Sequence, residues 1–280
     1  MSRITNRFGL PDALVRAVQA DPYAKGDCEF SVTELLAPAR QRALMQIHKE
    51  EIEEDVADRL FSLYGQIAHL ILERANVVDL AEKRFFGKIG DATVSGQVDS
   101  LMIMDGVLTD WKFTSASGFY KGKDPKPEWV AQLNFQLELL RQNGLDAAKL
   151  QIGGLLRDYS KLAAGRSQDY PEAPVVLMPI PLWERSFTVS VMEARVAAHR
   201  QARAGTLPPC SPEERWEKPG VWAVMKDGQK RAVKLCNTEE EAREFAKGAD
   251  KLSVVERPGE STRCLHYCPV APFCTQAKKF

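Results

Sequence analysis

The chain has 280 residues, enough for one large domain or for a domain with a substantial appendage. Its 38 basic and 38 acidic residues cancel, so no overall basic excess argues for a nucleic-acid partner, although clusters such as Lys226, Lys230, Arg231 and Lys234 leave one open. Hydrophobic residues make up 44%, but no apolar run approaches the ~20 residues of a membrane span, and "MSRITNRFGLPDALVRAVQADPYAKGD" has no apolar leader; a cytoplasmic protein is expected.

In chain order, "FSVTELLAPARQRALMQIH" offers Ser31 or Thr33 as a cap, with Glu34 close behind, and reads as a helix interrupted near Pro38. Ile52, Val56, Leu60, Leu63, Ile67, Leu70 and Ile71 recur at helical spacing, predicting one long helix or two broken near Gly65. Residues 93–114 alternate like a hairpin. A Gly-, Lys- and Pro-rich loop (115–127) leads to a helix, "PEWVAQLNFQLELLRQNG", closed by Gly144. "KLQIGGLLRDY" and "APVVLMPIPLW" predict central strands, and "VSVMEARVAAHRQARAG" a helix ending at Gly205. The character then changes: a Pro-rich loop, a second hairpin turning at Asp227-Gly228, a capped helix in "TEEEAREFAKG", a short strand and a cysteine-rich tail. This predicts an N-terminal extension over 1–28, a core over 29–205 and an appendage over 206–280.

The first hairpin, "VSGQVDSLMIMDGVLTDWKF", has Asp105-Gly106 where a two-residue turn is wanted. Met104 would then oppose Val107, Leu101 would oppose Asp110, and Asp99 would oppose Lys112. Strict alternation puts Gln97, Asp99, Leu101, Asp110 and Lys112 on one face and sends Trp111 to the core. Asp99 and Asp110 become diagonal neighbours, ~7–8 Å apart, able to hold one hard divalent cation. A lysine beside it could act on a water. The plainer alternative is an exposed hairpin with an Asp99–Lys112 surface pair worth ~0–1 kcal/mol. On neighbouring helices, His69 and Glu73 are four apart, as are Gln132 and Gln136. Each pair is either packed and hydrogen-bonded or part of a site.

Six cysteines are present, and "RCLHYCPVAPFC" crowds Cys264, Cys268 and Cys274 into eleven residues. Such spacing suits a tetrahedral zinc or an iron–sulfur cluster with a fourth ligand. Cys210, in a Pro-flanked loop, and Cys28 are the candidates for that ligand. Cys236 ends a predicted strand and reads as a buried apolar residue, and His266 is a further zinc-ligand alternative.

Taken together, "GQIAH", "GQVD" (96–99), "DWK" (110–112) and "QLNFQ" (132–136), after "SVTELLAPARQRAL", resemble the RecB-type branch of the PD-(D/E)XK nuclease superfamily over residues 30–160. The resemblance implies an α/β, restriction-endonuclease-like core, with a central mixed sheet flanked by helices, and a small C-terminal α+β appendage with a cysteine metal site. It implies that His69, Asp99, Asp110 and the main-chain carbonyl of Trp111 bind Mg²⁺ or Mn²⁺, that Lys112 acts on the attacking water, and that Gln132 supports the site or touches DNA. Glu73 would be an accessory residue. Tyrosine is frequent in the family where Gln136 stands here.

The cysteine tail is similar to iron–sulfur members of that branch, the CRISPR-adaptation and AddB-like nucleases, and to phage-associated exonucleases. It implies a 4Fe–4S cluster on Cys210, Cys264, Cys268 and Cys274, with zinc as the alternative. In the family the distant cysteine normally lies in the N-terminal helix; here "LLAPARQ" has none. The implied activity is hydrolysis of DNA phosphodiesters, as an exonuclease on single strands or duplex ends in phage or bacterial recombination, with a recombination or single-strand-binding protein as possible partner. The alternative is a catalytically silent DNA-binding module. DNA contacts would be dominated by the backbone.

Overall fold

The computed structural model describes residues 3–20, 24–75, 79–247 and 251–279. The chain divides into two compact units, residues 1–43 with 49–208 and residues 44–48 with 209–280. No helix of the described residues is long and apolar enough to cross a membrane.

The first unit opens with β1 (Arg3–Thr5) and α1 (Asp12–Gln19), then β2 (Phe30–Ser31) and α2 (Val32–Leu36). Ser31 caps α2 through a complete capping box: its hydroxyl accepts from the Glu34 N–H, and the Glu34 carboxylate accepts from the Ser31 N–H. Pro38 separates α2 from α3 (Ala39–Ile47), as the sequence suggests. β3 (Glu53–Asp55) lies parallel to β1, and its Asp55 accepts from the Arg7 amide at 2.8 Å. α4 (Val56–Ala75) follows as one unbroken helix through Gly65.

β4 (Leu80–Ile89), β5 (Ala92–Met102) and β6 (Val107–Thr114) come next, then α5 (Pro127–Gln142), β7 (Lys149–Leu156), α6 (Lys161–Ala164), β8 (Val175–Ile180) and α7 (Arg185–Arg203). β2, β4, β5, β6, β7 and β8 form one mixed sheet. β2 runs parallel to β5 and β6 parallel to β7, while β4–β5, β5–β6 and β7–β8 are antiparallel. The sheet is flanked by helices. Its core joins Phe30 and Leu35 to Val94, Val98, Leu101 and Leu108 and to the buried side of α5 (Leu133, Leu137, Leu140). Glu138, buried on α5, takes a two-pronged contact from Arg185 at 2.8 and 3.0 Å, tying α5 to α7.

Three expectations are corrected. The β5–β6 turn spans four residues (103–106), with Met102 opposite Val107 and Gly106 at φ +61° closing it on the Ile103 carbonyl. The register is therefore shifted by two residues from that of a two-residue Asp-Gly turn, with Leu101 opposite Leu108 and not Asp110, because Ile103 and Met104 are spent in the turn. β8 is an edge strand, not a central one, and half of its residues are exposed. Trp111 is half-buried and outside the main core cluster; it lies against Gly153, where its ring leaves no room for a Cβ.

The second unit contains β9 (Glu217–Lys218), β10 (Val221–Lys226), β11 (Lys234–Cys236), α8 (Glu239–Ala246), β12 (Leu252–Arg257), β13 (Glu260–Ser261) and α9 (Thr262–His266). β10 is flanked by β11 and β12, and β9 pairs with β13. The β10–β11 hairpin forms, but its connection is much longer than two residues, with Trp222 opposite Cys236. Thr238 caps α8 by accepting from the Glu241 N–H. The buried core cluster here is small: Val224, Cys236 and Ala242.

Candidate active site

The site begins with a gap in strand pairing. β4 runs along one edge of β5 from Ala92 to Leu101, so β2 and β6 share the other edge. β2 pairs at Val94 and Ser95, and β6 at Ser100, Leu101 and Met102. Residues 96–99 between them border a fork where β6 has left β5 for β7. Backbone groups in such a gap need other partners. The Gln136 side chain supplies one, donating from Nε2 to the Gln97 carbonyl at 2.7 Å. The Asp99 carboxylate supplies another, accepting the Trp111 N–H at 2.8 Å across the fork.

Glu82 sharpens the irregularity. It has φ +49°, unusual for a residue with a side chain, and interrupts the β4–β5 ladder between Ala81–Ser100 and Lys83–Val98. Alternation switches here, since Val98 and Leu101, three apart, are both in the core. The expectation of one uninterrupted face from Gln97 to Leu101 therefore fails at Asp99, and the fork turns the acids toward a cleft of about 790 Å³.

Five elements, α4, β4, β5, β6 and α5, converge on that cleft. α4 brings His69, with Ser62, Gln66 and Glu73 along the same wall. His69 Nδ1 lies 2.7 Å from Glu82 Oε1 and 3.7 Å from Asp99 Oδ2. Glu82 Oε2 accepts from Gln97 Nε2 at 2.6 Å, and Arg84 donates to Gln97 Oε1 at 2.9 Å. On β6, Lys112 Nζ sits 2.7 Å from Asp110 Oδ2. Gln132 of α5 bridges them, donating to Asp110 Oδ1 at 2.5 Å and accepting from Lys112 at 3.0 Å. Asp110 is only 1% exposed, and its Oδ2, beside the lysine, has no directed hydrogen bond among the described residues.

The electrostatics follow from this crowding. Burial and the neighbouring Asp110 push the Asp99 carboxyl up to about 8. The hydrogen bond to Glu82 raises His69, against burial, which opposes its charge. Burial works against the Glu82 anion, but His69 and Gln97 outweigh it and hold Glu82 low. Burial likewise disfavours the Lys112 ammonium, yet Asp110 and Asp99 hold it above its ordinary value. An acid held protonated beside a second buried acid is what a cation-binding cluster looks like without its cation.

Among the described residues, His69, Glu82 and Asp99 form the trio of metal-capable side chains whose ligand atoms all lie within 4.8 Å of one another. Asp110 and Lys112 line the same cleft beside it. The structure thus gathers His69, Asp99, Asp110, Lys112 and Gln132 into one place. Trp111 enters through its N–H. Gln136 braces the fork, its buried Oε1 without a hydrogen-bond partner among the described residues. Glu82 is the residue that sequence reasoning missed; only its position opposite Asp99 on the preceding strand could have signalled it.

In the second unit, burial first, then Glu214 and the thiols of Cys274, Cys264 and Cys268, push the Cys210 thiol up to about 12. Cys264 and Cys268 are raised in the same way, by burial and by neighbouring thiols. Gln276 clamps the Cys210 loop to the tail, accepting from the Cys210 N–H at 2.8 Å and donating to its carbonyl at 3.0 Å. Cys236 is buried beside Val224 and Ala242. His266 lies 3.7 Å from Glu260. In the first unit, Cys28 contacts Ser95 Oγ and the Lys25 carbonyl, each at 3.3 Å.

No protein-family model matches the sequence, and no curated protein matches it. Similar solved structures share low identity with the chain, as two of them illustrate. The crystal structure of SSO0001 is 17% identical, with TM-score 0.48, over 73% of this chain and 89% of that one. The crystal structure of a "putative exonuclease" from Eubacterium rectale is 14% identical, with TM-score 0.33, over 46% of this chain and 47% of that one. Likenesses of this size carry no argument about activity, which has to be built from the cleft.

Proposed function

We propose that this chain is a divalent-metal-dependent nuclease that hydrolyses DNA phosphodiester bonds, acting as an exonuclease on single strands or duplex ends. The observation that carries the reading is the cleft itself: a His–Glu–Asp trio at ligand spacing, with a second buried acid and a lysine beside it. Oxygen-rich donors of this kind suit Mg²⁺ or Mn²⁺. When bound, the ion would polarise a phosphoryl oxygen and lower the pKa of a coordinated water. His69, Glu82, Asp99 and Asp110 are the side chains that would hold it, with the main-chain carbonyl of Trp111 as a further ligand.

The remaining work falls to neighbouring groups. Lys112, fixed between Asp110 and Gln132, orients the attacking water and offsets charge that develops on the phosphoryl oxygens. Gln132 positions both and reaches the cleft floor. Gln97 and Arg84 hold Glu82.

The four thiols Cys210, Cys264, Cys268 and Cys274 fit a structural metal group. Each would lose its proton on binding such a group, whose charge would offset the burial and the neighbouring thiols that raise Cys210. Four thiolates suit either zinc or a 4Fe–4S cluster; the reading taken here is a 4Fe–4S cluster, with zinc as the alternative. The cellular setting proposed is bacterial or phage DNA recombination and processing, with a recombination or single-strand-binding protein as partner.

The test is cleavage of end-labelled single- and double-stranded DNA in Mn²⁺, Mg²⁺ or EDTA, wild type beside Asp110→Ala. Metal-dependent cleavage that the variant loses is expected. Binding without cleavage in every metal would point to a silent DNA-binding module, and equal cleavage by Asp110→Ala would remove the site assignment.

A further inference from the structure

The loop from β6 to α5, residues 115–127, joins the two elements that carry Asp110, Lys112 and Gln132 into the cleft. Its base is fixed. The Ser115 hydroxyl accepts from the Ser117 N–H at 3.2 Å and opens a short 3₁₀ turn, while the Asp158 carboxylate accepts the Ala116 N–H at 2.7 Å. Ala116 and Phe119 are buried in the main core, and the Phe119 and Trp129 rings lie 5.4 Å apart. The tip is the opposite. Lys121, Lys123, Asp124 and Lys126 are exposed, and Gly122, at φ +77°, has open space where a side chain would start. Three lysines and one acid thus stand on a firm root between two elements of the cleft.

The chain as a whole is neutral, with 38 basic and 38 acidic residues, so three lysines against one aspartate are a local excess. Little of that charge is neutralised. Lys121 meets Glu172 at 3.2 Å, but both side chains are in solvent, a pair worth ~0–1 kcal/mol. Lys123 donates to the Ser117 carbonyl at 2.7 Å, and Lys126 stands over the Trp129 ring at 4.7 Å. Neither faces a carboxylate at ion-pair distance among the described residues. A carbonyl or a ring positions an ammonium and leaves its charge in place. The distance from tip to cleft is short along α5: Glu128 is one helical turn from Gln132 and two residues from Lys126, and its charge reaches Lys112.

A strand that lays one phosphate beside Lys112 carries its next phosphates outward, and cations along that path are what attract them. Resting on the nuclease reading above, we propose that Lys121, Lys123 and Lys126 form a track for the phosphate backbone of the DNA strand whose scissile phosphate lies in the cleft. Ammonium groups on long flexible stems suit successive phosphates without fixing one geometry. Such contacts hold the strand in position and carry no sequence preference.

The experiment is fluorescence anisotropy of the full chain with labelled oligothymidylate in Ca²⁺ over a series of NaCl concentrations. Wild type is set beside Lys121→Gln/Lys123→Gln/Lys126→Gln and beside the same three positions changed to arginine. A third variant, Lys226→Gln/Lys230→Gln/Lys234→Gln, removes the same charge elsewhere in the chain. Each phosphate contact on a single strand adds ~0.7 to the slope of log affinity against log salt. The loop variant is therefore expected to flatten the slope by about 2, while the arginine variant and the Lys226 set keep the wild-type slope. Lys126→Gln alone, expected to flatten it by ~0.7, serves if the triple variant melts early. An unchanged slope in the loop variants, or equal flattening by the Lys226 set, would overturn the track, while metal-dependent cleavage lost in Asp110→Ala would still uphold the nuclease reading. A wild type that binds no single strand would overturn both.

Discussion

The cleft and the cysteine cluster solve the same problem, gathering ligands, in opposite ways. The cleft draws His69, Glu82, Asp99, Asp110, Lys112 and Gln132 from α4, β4, β5, β6 and α5, and a large apolar core holds those elements whether or not a cation is present. The cysteine cluster draws three thiols from eleven residues and the fourth from one loop, over a core cluster of three small or medium residues. In the first region the fold makes the site. In the second, on the metal reading proposed above, a bound group would help make the fold, because its binding free energy would also be folding free energy.

That contrast can be broken experimentally, and the largest expected effect is in the cysteine unit. Cys274→Ala should lose the bound group and leave residues 209–279 open to limited proteolysis, since little else orders that tail. A variant that keeps both its metal content and its protease resistance would contradict the contrast. In the cleft, Lys112→Ala should keep the same melting temperature within a few degrees while cleavage falls at least about a hundredfold, as when one charge-stabilising donor is removed. Single-turnover kinetics beside a thermal melt would separate the two effects.

A smaller effect is expected at Glu82. Glu82→Gln should weaken Mn²⁺ binding by about 10–100-fold, the usual cost of disturbing a ligand or the group that orients it, and excess Mn²⁺ should restore much of the activity. Unaltered Mn²⁺ affinity by calorimetry would take Glu82 out of the site.

A further expected effect is a pH dependence of the metal-free protein. Asp99 ordinarily titrates near 3.8 and is raised to about 8 in the fold, so the folded state holds a proton that the unfolded chain gives up. Its contribution is fully present below pH ~4 and is lost as pH rises through about 8. Urea midpoints in EDTA should therefore fall over that window more steeply for wild type than for Asp99→Asn, and identical slopes would show that Asp99 is not held protonated.

Much of the first unit was legible because its signals are local. The Ser31–Glu34 capping box, the Pro38 break and the left-handed Gly144 that closes α5 all lie within a few residues of their effect. The hairpin was legible in kind but not in register, since "MIMDG" satisfies a four-residue turn as well as a two-residue one. What escaped depends on tertiary pairing. Glu82 joins the site only because β4 lies beside β5 and its positive φ turns the ladder there. Trp111 looked like a core residue by alternation, yet the core lies on the other face of β6, where Leu108 is buried and Asp110 meets Gln132 of α5.

The most direct test is a Mn²⁺ titration of the purified chain, followed by electron paramagnetic resonance and, in parallel aliquots, by cleavage of a labelled single strand, for wild type and Asp99→Asn. Saturable Mn²⁺ binding that rises together with cleavage, both weakened in the variant, is the predicted result. Cleavage that is full before Mn²⁺ is bound, or a variant that binds and cleaves like wild type, would contradict a metal centre in this cleft.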